Sequence, residues 1–121
     1  MRLIVSLALL TIFFATSCTD DHGTTPATVE GRWELVQAMR NNTETGMLDG
    51  LHFDFHADGK LKTNLLGNET DGTYVWANSE IVTNGVKLPL TYSIQELTDS
   101  TMHLRSRYQG FQFDFKMRKT E

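Results

Sequence analysis

The chain has 121 residues, a formal net charge of −4 at pH 7, 40% hydrophobic residues and a single cysteine. The acidic balance argues against nucleic acid and anionic lipid as partners, and one cysteine excludes an internal disulfide. The length leaves room for one small domain, whose stability must come from burial and hydrogen bonding.

The first eighteen residues have the pattern of a cleaved export signal. A basic residue at position 2 precedes an uncharged apolar run, 3–15, that is too short to span a bilayer as a permanent helix. The segment resembles a bacterial lipoprotein signal, which is cut before a cysteine that then carries acyl chains. The resemblance implies that 1–17 is removed and that Cys18 is lipidated, a permanent membrane anchor. Ordinary cleavage at the small residues 15–17 is the alternative.

Residues 18–29 are predicted to form a flexible linker that begins at the lipidated cysteine. They are small, polar and acidic, and they show no apolar period that could bury itself. A linker of this length reaches about 18 Å on average, which keeps the domain 30–121 close to the membrane. Asp20 and Asp21 resemble the acidic surface-export signals of Bacteroidota lipoproteins. The predicted location is the bacterial cell envelope, as an outer-membrane lipoprotein on its periplasmic or external side.

From residue 31 onward, apolar residues recur with a period of two between turn residues, which is typical of antiparallel strands. Eight strands are predicted, at 31–38, 50–56, 60–66, 72–77, 81–83, 86–96, 101–108 and 111–119. Such a meander has two exposed edges unless it closes, so we expect an all-β, small eight-stranded antiparallel up-and-down barrel. Pro89 cannot donate to a ladder and predicts a bend or gap near the fifth and sixth strands.

Turn residues predict the register of three hairpins. A three-residue loop at 57–59 with Gly59 left-handed, and a two-residue loop at 109–110, each bring apolar residues opposite one another. The predicted pairs are Phe55 with Leu61, Phe53 with Thr63, Leu51 with Leu65 and, outward, Asp54 with Lys62, then Tyr108 with Phe111, Leu104 with Phe115, Met102 with Met117 and, outward, Arg105 with Asp114. Asn84-Gly85 predicts a further hairpin that sets Ile81 against Leu88.

Several sequence segments resemble one family of barrels. Gly31-Arg32-Trp33 is similar to the opening strand of lipocalins and related small barrels. The segments 53–60, 71–74 and 92–104 follow in the order found in lipocalin-like domains of short Bacteroidota lipoproteins. The resemblance covers nearly the whole domain. It implies a barrel closed at one end by Trp33, an envelope location, and small-molecule binding as the habit of the wider superfamily.

The predicted barrel lining is almost entirely bulky, which favours a filled interior over a ligand-sized pocket at the barrel mouth. Where such a pocket exists, Trp76 and Tyr92 are predicted to wall its open end, with ordinary core as their alternative, and Tyr74 is a further candidate contact. The long loop 39–49 is predicted to serve as a lid or a contact surface. Met47 and Leu48 are its candidate ligand contacts.

No residue pattern indicates catalysis. The chain lacks a cysteine nucleophile, a glycine-flanked serine elbow and a glycine-rich phosphate loop, so we predict that it is not an enzyme and needs no cofactor. His52 and His56 lie about 13 Å apart along one strand, too far to share one zinc ion. The remaining metal alternative combines Asp54, His56 and an adjacent strand. Asp54 and Asp114 lie on strands that are not neighbours, which disfavours a paired-carboxylate hydrolase.

An outward basic stripe is predicted across the last hairpin, formed by Arg105, Arg107, Lys116 and Arg118, with Asp114 in its middle. Such a stripe docks an acidic partner or a headgroup, or only keeps the domain soluble. Two functions follow. One is an anchored binding module that holds a small apolar or amphipathic molecule at the open end. The other is a structural or interaction protein whose filled barrel meets an envelope partner through its loops and outer face.

Overall fold

The computed structural model describes residues 26–120, so the predicted signal peptide, Cys18 and most of the predicted linker lie outside the described residues. The described chain is built of β-strands. They are β1 Gly31–Arg40, β2 Thr43–Thr45, β3 His52–Phe55, β4 Lys60–Thr63, β5 Thr70–Ala77, β6 Glu80–Asn84, β7 Thr91–Leu97, β8 Thr101–Tyr108 and β9 Phe111–Lys119. Between residues 26 and 120 there is no helix with the length and hydropathy to cross a membrane.

Eight of these strands close into an antiparallel barrel. The sheet runs β1-β3-β4-β5-β6-β7-β8-β9, and β9 pairs back to β1 along most of its length. Closure removes both edges of the meander, and the predicted eight-stranded barrel is confirmed. The additional strand β2 lies inside the predicted loop 39–49. It pairs only with the last three residues of β1.

Two hairpins have the predicted register. The β3–β4 ladder sets Phe53, Asp54 and Phe55 opposite Thr63, Lys62 and Leu61, and the β8–β9 ladder contains all four of its predicted pairs. Gly59 has φ 89°, in the left-handed region that its loop requires. Leu51 and Leu65 are both buried but lie beyond the paired segments of β3 and β4. Register is strongly specified here because a one-residue slip would turn the apolar faces to water.

The predicted hairpin at Asn84-Gly85 is wrong. Ile81 lies opposite Tyr92 and not opposite Leu88. Since β7 begins only at Thr91, residues 85–90 form a connection where the sequence predicts the first half of a strand.

This β6–β7 connection folds tightly against its neighbours. Pro89 lies in it, at the gap that its missing N–H predicts. The end of the connection is bonded to Thr83 of β6. The Thr83 backbone N–H donates to the Leu90 carbonyl at 3.0 Å, and the Thr83 hydroxyl accepts the Leu90 N–H at 3.0 Å. At the start of the connection, Val86 is buried over Gly72 of β5, where a Cβ would stand 2.6 Å from Val86 Cγ1. Only glycine fits at position 72.

Aromatic rings fill the barrel along its length. Each ring contacts the next in one continuous column, with centroid separations of 4.9 Å for Tyr74–Phe55, 5.5 Å for Phe55–Phe53, 5.6 Å for Phe53–Tyr92, 5.7 Å for Tyr92–Phe115, 6.4 Å for Phe115–Phe113 and 6.5 Å for Phe113–Phe111. Buried aliphatic side chains surround the column, among them Leu61, Ile81 and Leu104. The barrel axis is therefore occupied by protein, as the bulky lining predicts.

The barrel has two different ends. The closed end carries the start of β1, the end of β9 and the short hairpin loops 56–59, 78–79 and 98–100. The open end carries the connections 46–51, 64–69, 85–90 and 109–110. Any site on a connection longer than a tight turn therefore lies at the open end.

Trp33 fills the closed end. The side chain is 0% exposed, its Nε1 donates to the Val29 carbonyl at 2.8 Å, and the Lys119 ammonium lies 5.0 Å from the centroid of its ring. Val29 itself is fully buried, although the sequence places it at the end of the flexible linker. Val29 therefore packs with the barrel, because its side chain is apolar and its carbonyl accepts the hydrogen bond from the plug.

Candidate functional site

The five residues predicted to contact a ligand are not brought together. Tyr74 lies toward the closed end, where its hydroxyl donates to the His56 carbonyl at 2.6 Å. Trp76 is near the closed end of β5 and is 36% exposed. Tyr92 lies in the middle of the aromatic column, and burial raises the pKa of its hydroxyl. The two residues therefore do not share a wall at the open end: β5 carries Trp76 toward the closed end, and the Tyr92 ring is buried between Phe53 and Phe115.

Met47 and Leu48 do line a cleft at the open end. The cleft has a volume of about 280 Å³ and lies between the β2–β3 and β4–β5 connections. Its lining residues are Met47, Leu48, Asp49, Leu51, Asn64, Leu65, Leu66 and Gly67. Buried Leu51 and Leu65 form the floor, while Met47, at 64% exposed, and Leu66 stand at the rim. The floor residues are recognisable in the sequence only as a core pair, because nothing local shows that two distant loops meet above them.

Hydrogen bonds hold the two walls of this open-end cleft in place. The Asn64 Oδ1 accepts the His52 N–H at 2.9 Å, and its amide nitrogen donates to the Gly50 carbonyl at 3.0 Å. Leu66 has φ 65° and Gly67 has φ 143°, so the chain turns sharply and presents Leu66 at the rim. The walls are thus fixed by the polar groups of the connections and do not depend on a ligand.

The rim of the open-end cleft carries polar groups. The Asp49 carboxylate lines it directly. Lys87 does not line the cleft, but its Nζ lies 2.7 Å from the point that a Cβ on Gly67 would occupy, which places an ammonium beside the β4–β5 connection. An apolar floor with a few polar groups at its edge is the usual composition of a small-molecule site. At 280 Å³ the open-end cleft accommodates a small molecule or one apolar end of a larger one.

The histidines on and beside β3 pair with two different carboxylates. His52 Nε2 lies 3.0 Å from a Glu69 oxygen, and His56 Nε2 lies 3.7 Å from an Asp54 oxygen. Across residues 26–120 there is no group of three or more His, Cys, Asp or Glu side chains arranged to hold a metal ion. The geometry therefore provides no third ligand beside Asp54 and His56.

One outward carboxylate on β9 is covered by its neighbours. Asp114 lies opposite Arg105 as predicted, yet its side chain is only 1% exposed. His103 Nε2 and Arg105 Nε lie 2.8 and 2.9 Å from Oδ1, and the Gln112 amide donates to Oδ2 at 3.2 Å. The predicted solvated position in the basic stripe is corrected: three side chains converge on this carboxylate and exclude water from it.

Asp114 should contribute to stability in a pH-dependent way. Burial acts to raise the pKa of this carboxyl, but the hydrogen bonds from Arg105, His103 and Gln112 outweigh it and lower the pKa below its ordinary value. The ionised form is then favoured in the folded state, so its contribution is present above the unfolded pKa of about 3.9 and is lost as pH falls through the folded value. We expect Asp114→Asn to lower the free energy of unfolding by about 2 kcal/mol at neutral pH.

Urea denaturation across the pH range checks this expectation, and Asp54→Asn on the outer face of β3 is the matched control. The deficit of Asp114→Asn should shrink at acid pH, as the pH falls through the folded pKa and the parent carboxyl also becomes neutral. A deficit that is the same at acid and neutral pH would contradict a charge-based role.

Comparison with known proteins supports the fold alone. No family model matches the chain, and no curated protein matches it. Among solved structures, a lipocalin-like protein from Bacteroides uniformis ATCC 8492 is similar, with a TM-score of 0.54 and 20% sequence identity over 75% of this chain and 97% of that chain. The lipocalin-like barrel that the sequence resemblance implies is thereby confirmed. Functional residues are not transferred at this identity.

Proposed function

We propose that the protein is a lipid-anchored lipoprotein of the bacterial cell envelope that binds a small apolar or amphipathic molecule in the open-end cleft, without catalysis. The observation that carries the binding role is the cleft itself, with its buried leucine floor and exposed apolar rim. An apolar ligand that covers exposed side chains such as Met47 and Leu66 removes their apolar surface from water, which favours binding. Because the aromatic column occupies the interior of the barrel, the ligand is placed at the open end.

The chemistry of the rim supports an amphipathic ligand. Leu51 and Leu65 offer only apolar surface, whereas Asp49 and Asn64 offer a charge and hydrogen bonds at the edge. A ligand with an apolar end and a polar end satisfies both regions, since polar groups left in the floor would lose their hydrogen bonds to water.

The anchor rests on the signal pattern that ends at Cys18. The described chain enters the barrel at Val29, which is buried at the closed end. A tether attached at Val29 is therefore at the opposite end of the barrel from the open-end cleft. Anchoring and ligand binding therefore use opposite ends of the molecule and do not compete.

Native mass spectrometry tests both parts of the proposal. The protein is produced from its full sequence in an exporting bacterium and extracted from the membrane fraction in mild detergent. We expect a chain that begins at Cys18, carries acyl chains and retains a noncovalent small molecule. A chain with an unmodified Cys18 would refute the anchor. An acylated chain with no retained molecule would refute the binding role and favour the filled-barrel interaction protein.

A substitution at the rim locates the ligand. We expect Met47→Glu to reduce the fraction of protein that retains the ligand by about tenfold, since a carboxylate held against an apolar ligand costs roughly 1.4 kcal/mol or more. Val75→Glu is the matched control, because Val75 is 61% exposed against 64% for Met47 but projects from β5 away from the open-end cleft. Equal losses in both variants would place the ligand elsewhere.

A further inference from the structure

Five of the ten lysines and arginines between residues 26 and 120 lie on two adjacent strands. Arg105, Arg107, Lys116 and Arg118 project outward from β8 and β9, and together they define the basic face. The acid between them, Asp114, is buried and bound to Arg105. Within residues 26–120, Arg107, Lys116 and Arg118 are in no ion pair. Two acids lie next to the face, Glu34 of β1 opposite Arg118 and Glu96 of β7 opposite His103 in the ladders.

An exposed apolar side chain stands at the edge of this basic face. The β1–β9 ladder shifts between Leu35 and Gln37, so Val36 is an extra residue in a β-bulge. Val36 is 61% exposed as a result. It lies on a shallow groove of about 410 Å³ whose other lining residues are Glu96, Thr101, Met102, His103, Lys116, Met117 and Arg118. Cations around a protruding aliphatic group are the composition that a lipid-water interface accepts.

The basic face also begins at the end of the barrel from which the tether leaves. Arg118 is the penultimate residue of β9, at the closed end, where Val29 enters the core. The linker before Val29 has an average reach of about 18 Å. A membrane that holds the acyl chains on Cys18 is therefore within reach of this wall.

We propose that the anchored barrel lies on its side, with the basic face and Val36 against a bilayer surface that contains anionic phospholipid. This inference rests on the lipid anchor of the proposed function. Juxtamembrane Lys and Arg residues are attracted to the negative potential of such a surface within about one Debye length, near 8 Å at physiological salt.

The net negative charge of the chain does not oppose this orientation. In a ring of eight strands, β4 is the fourth neighbour of β8 and stands on the opposite wall. The acids Asp54 and Asp71, which flank Lys62 of β4 in the ladders, are therefore turned away from the membrane and screened. The net charge alone argues against anionic lipid, but the distribution of charge on the barrel reverses that expectation for one wall. The open-end cleft stays accessible, since no residue of β8 or β9 lines it.

Lysine labelling on vesicles tests the orientation. The processed, acylated protein is reconstituted on vesicles of phosphatidylcholine alone or mixed with phosphatidylglycerol, and amines are acylated with a water-soluble reagent at low salt. Lys116 reports the basic face and Lys62 reports the opposite wall. We expect the ratio of Lys116 to Lys62 labelling to fall about threefold on the mixed vesicles and to recover at high salt. Arg118→Glu should abolish the fall, whereas Lys60→Glu on β4 should not.

The outcomes separate this inference from the anchor on which it rests. Protein that fails to float with neutral vesicles would overturn the anchor and the orientation together. Protein that floats with both kinds of vesicle but shows the same labelling ratio on each would overturn the orientation alone. The same labelling can be done on intact cells. If Lys116 is protected relative to Lys62 in cells but not on the mixed vesicles, the orientation is overturned and the basic face is assigned to an acidic protein partner.

Discussion

Replacing Trp33 with alanine is expected to lower the free energy of unfolding by about 4 kcal/mol, a large share of the roughly 5–15 kcal/mol by which a domain is typically stable. The indole is fully buried at the closed end, so truncation leaves a cavity that β1 and its neighbours cannot collapse without breaking their ladders. The change also leaves the buried Val29 carbonyl without its indole donor. Loss of an aromatic ring, an unsatisfied carbonyl and a cavity act in the same direction.

Two further variants isolate these contributions. Trp76→Ala makes the same chemical change near the same end, but Trp76 is 36% exposed, so a loss of about 1 kcal/mol is expected. Trp33→Phe keeps most of the ring and removes the N–H, so its loss should lie between the two. Urea denaturation followed by circular dichroism measures all three. Equal losses for Trp33→Ala and Trp76→Ala would show that Trp33 is not the closing plug.

The parts of the fold that the sequence predicts well are those fixed by local turn geometry. Gly59 and Gly110 both have left-handed φ values, 89° and 83°, as their short loops demand. Alternation then assigns every flanking side chain to a face, since a slip would expose the apolar set. The β3–β4 and β8–β9 ladders follow from these two facts alone.

The β6–β7 connection shows how tertiary contacts override a local signal. A two-residue type I′ hairpin needs φ above zero at both loop positions. Gly85 meets this with φ 77°, but Asn84 does not, and the chain instead buries Val86 against β5. Asn41-Asn42 does meet the requirement, with φ values of 50° and 67°, and it forms the turn between β1 and β2. An Asn-Asn pair after an alternating segment was the signal for that missed hairpin.

The candidate site was predictable only in part, for a geometric reason. Met47 and Leu48 belong to the longest loop, and long loops collect at functional ends. Trp76 was misplaced because β5 pairs with β4 through its first half and with β6 through its second half, a stagger that carries Trp76 beyond the paired part of β4. Alternation gives the face of a residue but not its height along the barrel axis. The height depends on that stagger, which only the complete set of pairings defines.

Gly72→Ala is expected to have the second largest effect, a loss of about 3 kcal/mol in the free energy of unfolding. A Cβ at this position would stand 2.4 Å from the Asn84 carbonyl oxygen and 2.6 Å from Val86 Cγ1. The Val86 side chain can move, but the carbonyl belongs to the backbone of β6, which is fixed by its ladder to β5. Relief therefore requires the whole β6–β7 connection to shift away from β5, and the burial of Val86 is lost with it.

A double-mutant cycle distinguishes this explanation from an ordinary loss of strand flexibility. Gly46→Ala is the matched control, because a Cβ there comes no closer than 3.3 Å, to the Asp49 Oδ2, and a change below about 0.5 kcal/mol is expected. Combining Gly72→Ala with Val86→Ala removes one of the two clashes, so the pair should be less destabilising than the sum of the single changes. Strict additivity would show that the connection does not press on Gly72. A recovery to the level of Val86→Ala alone would show that the contact with the Asn84 carbonyl costs nothing, and that the backbone of β6 yields where its ladder should hold it.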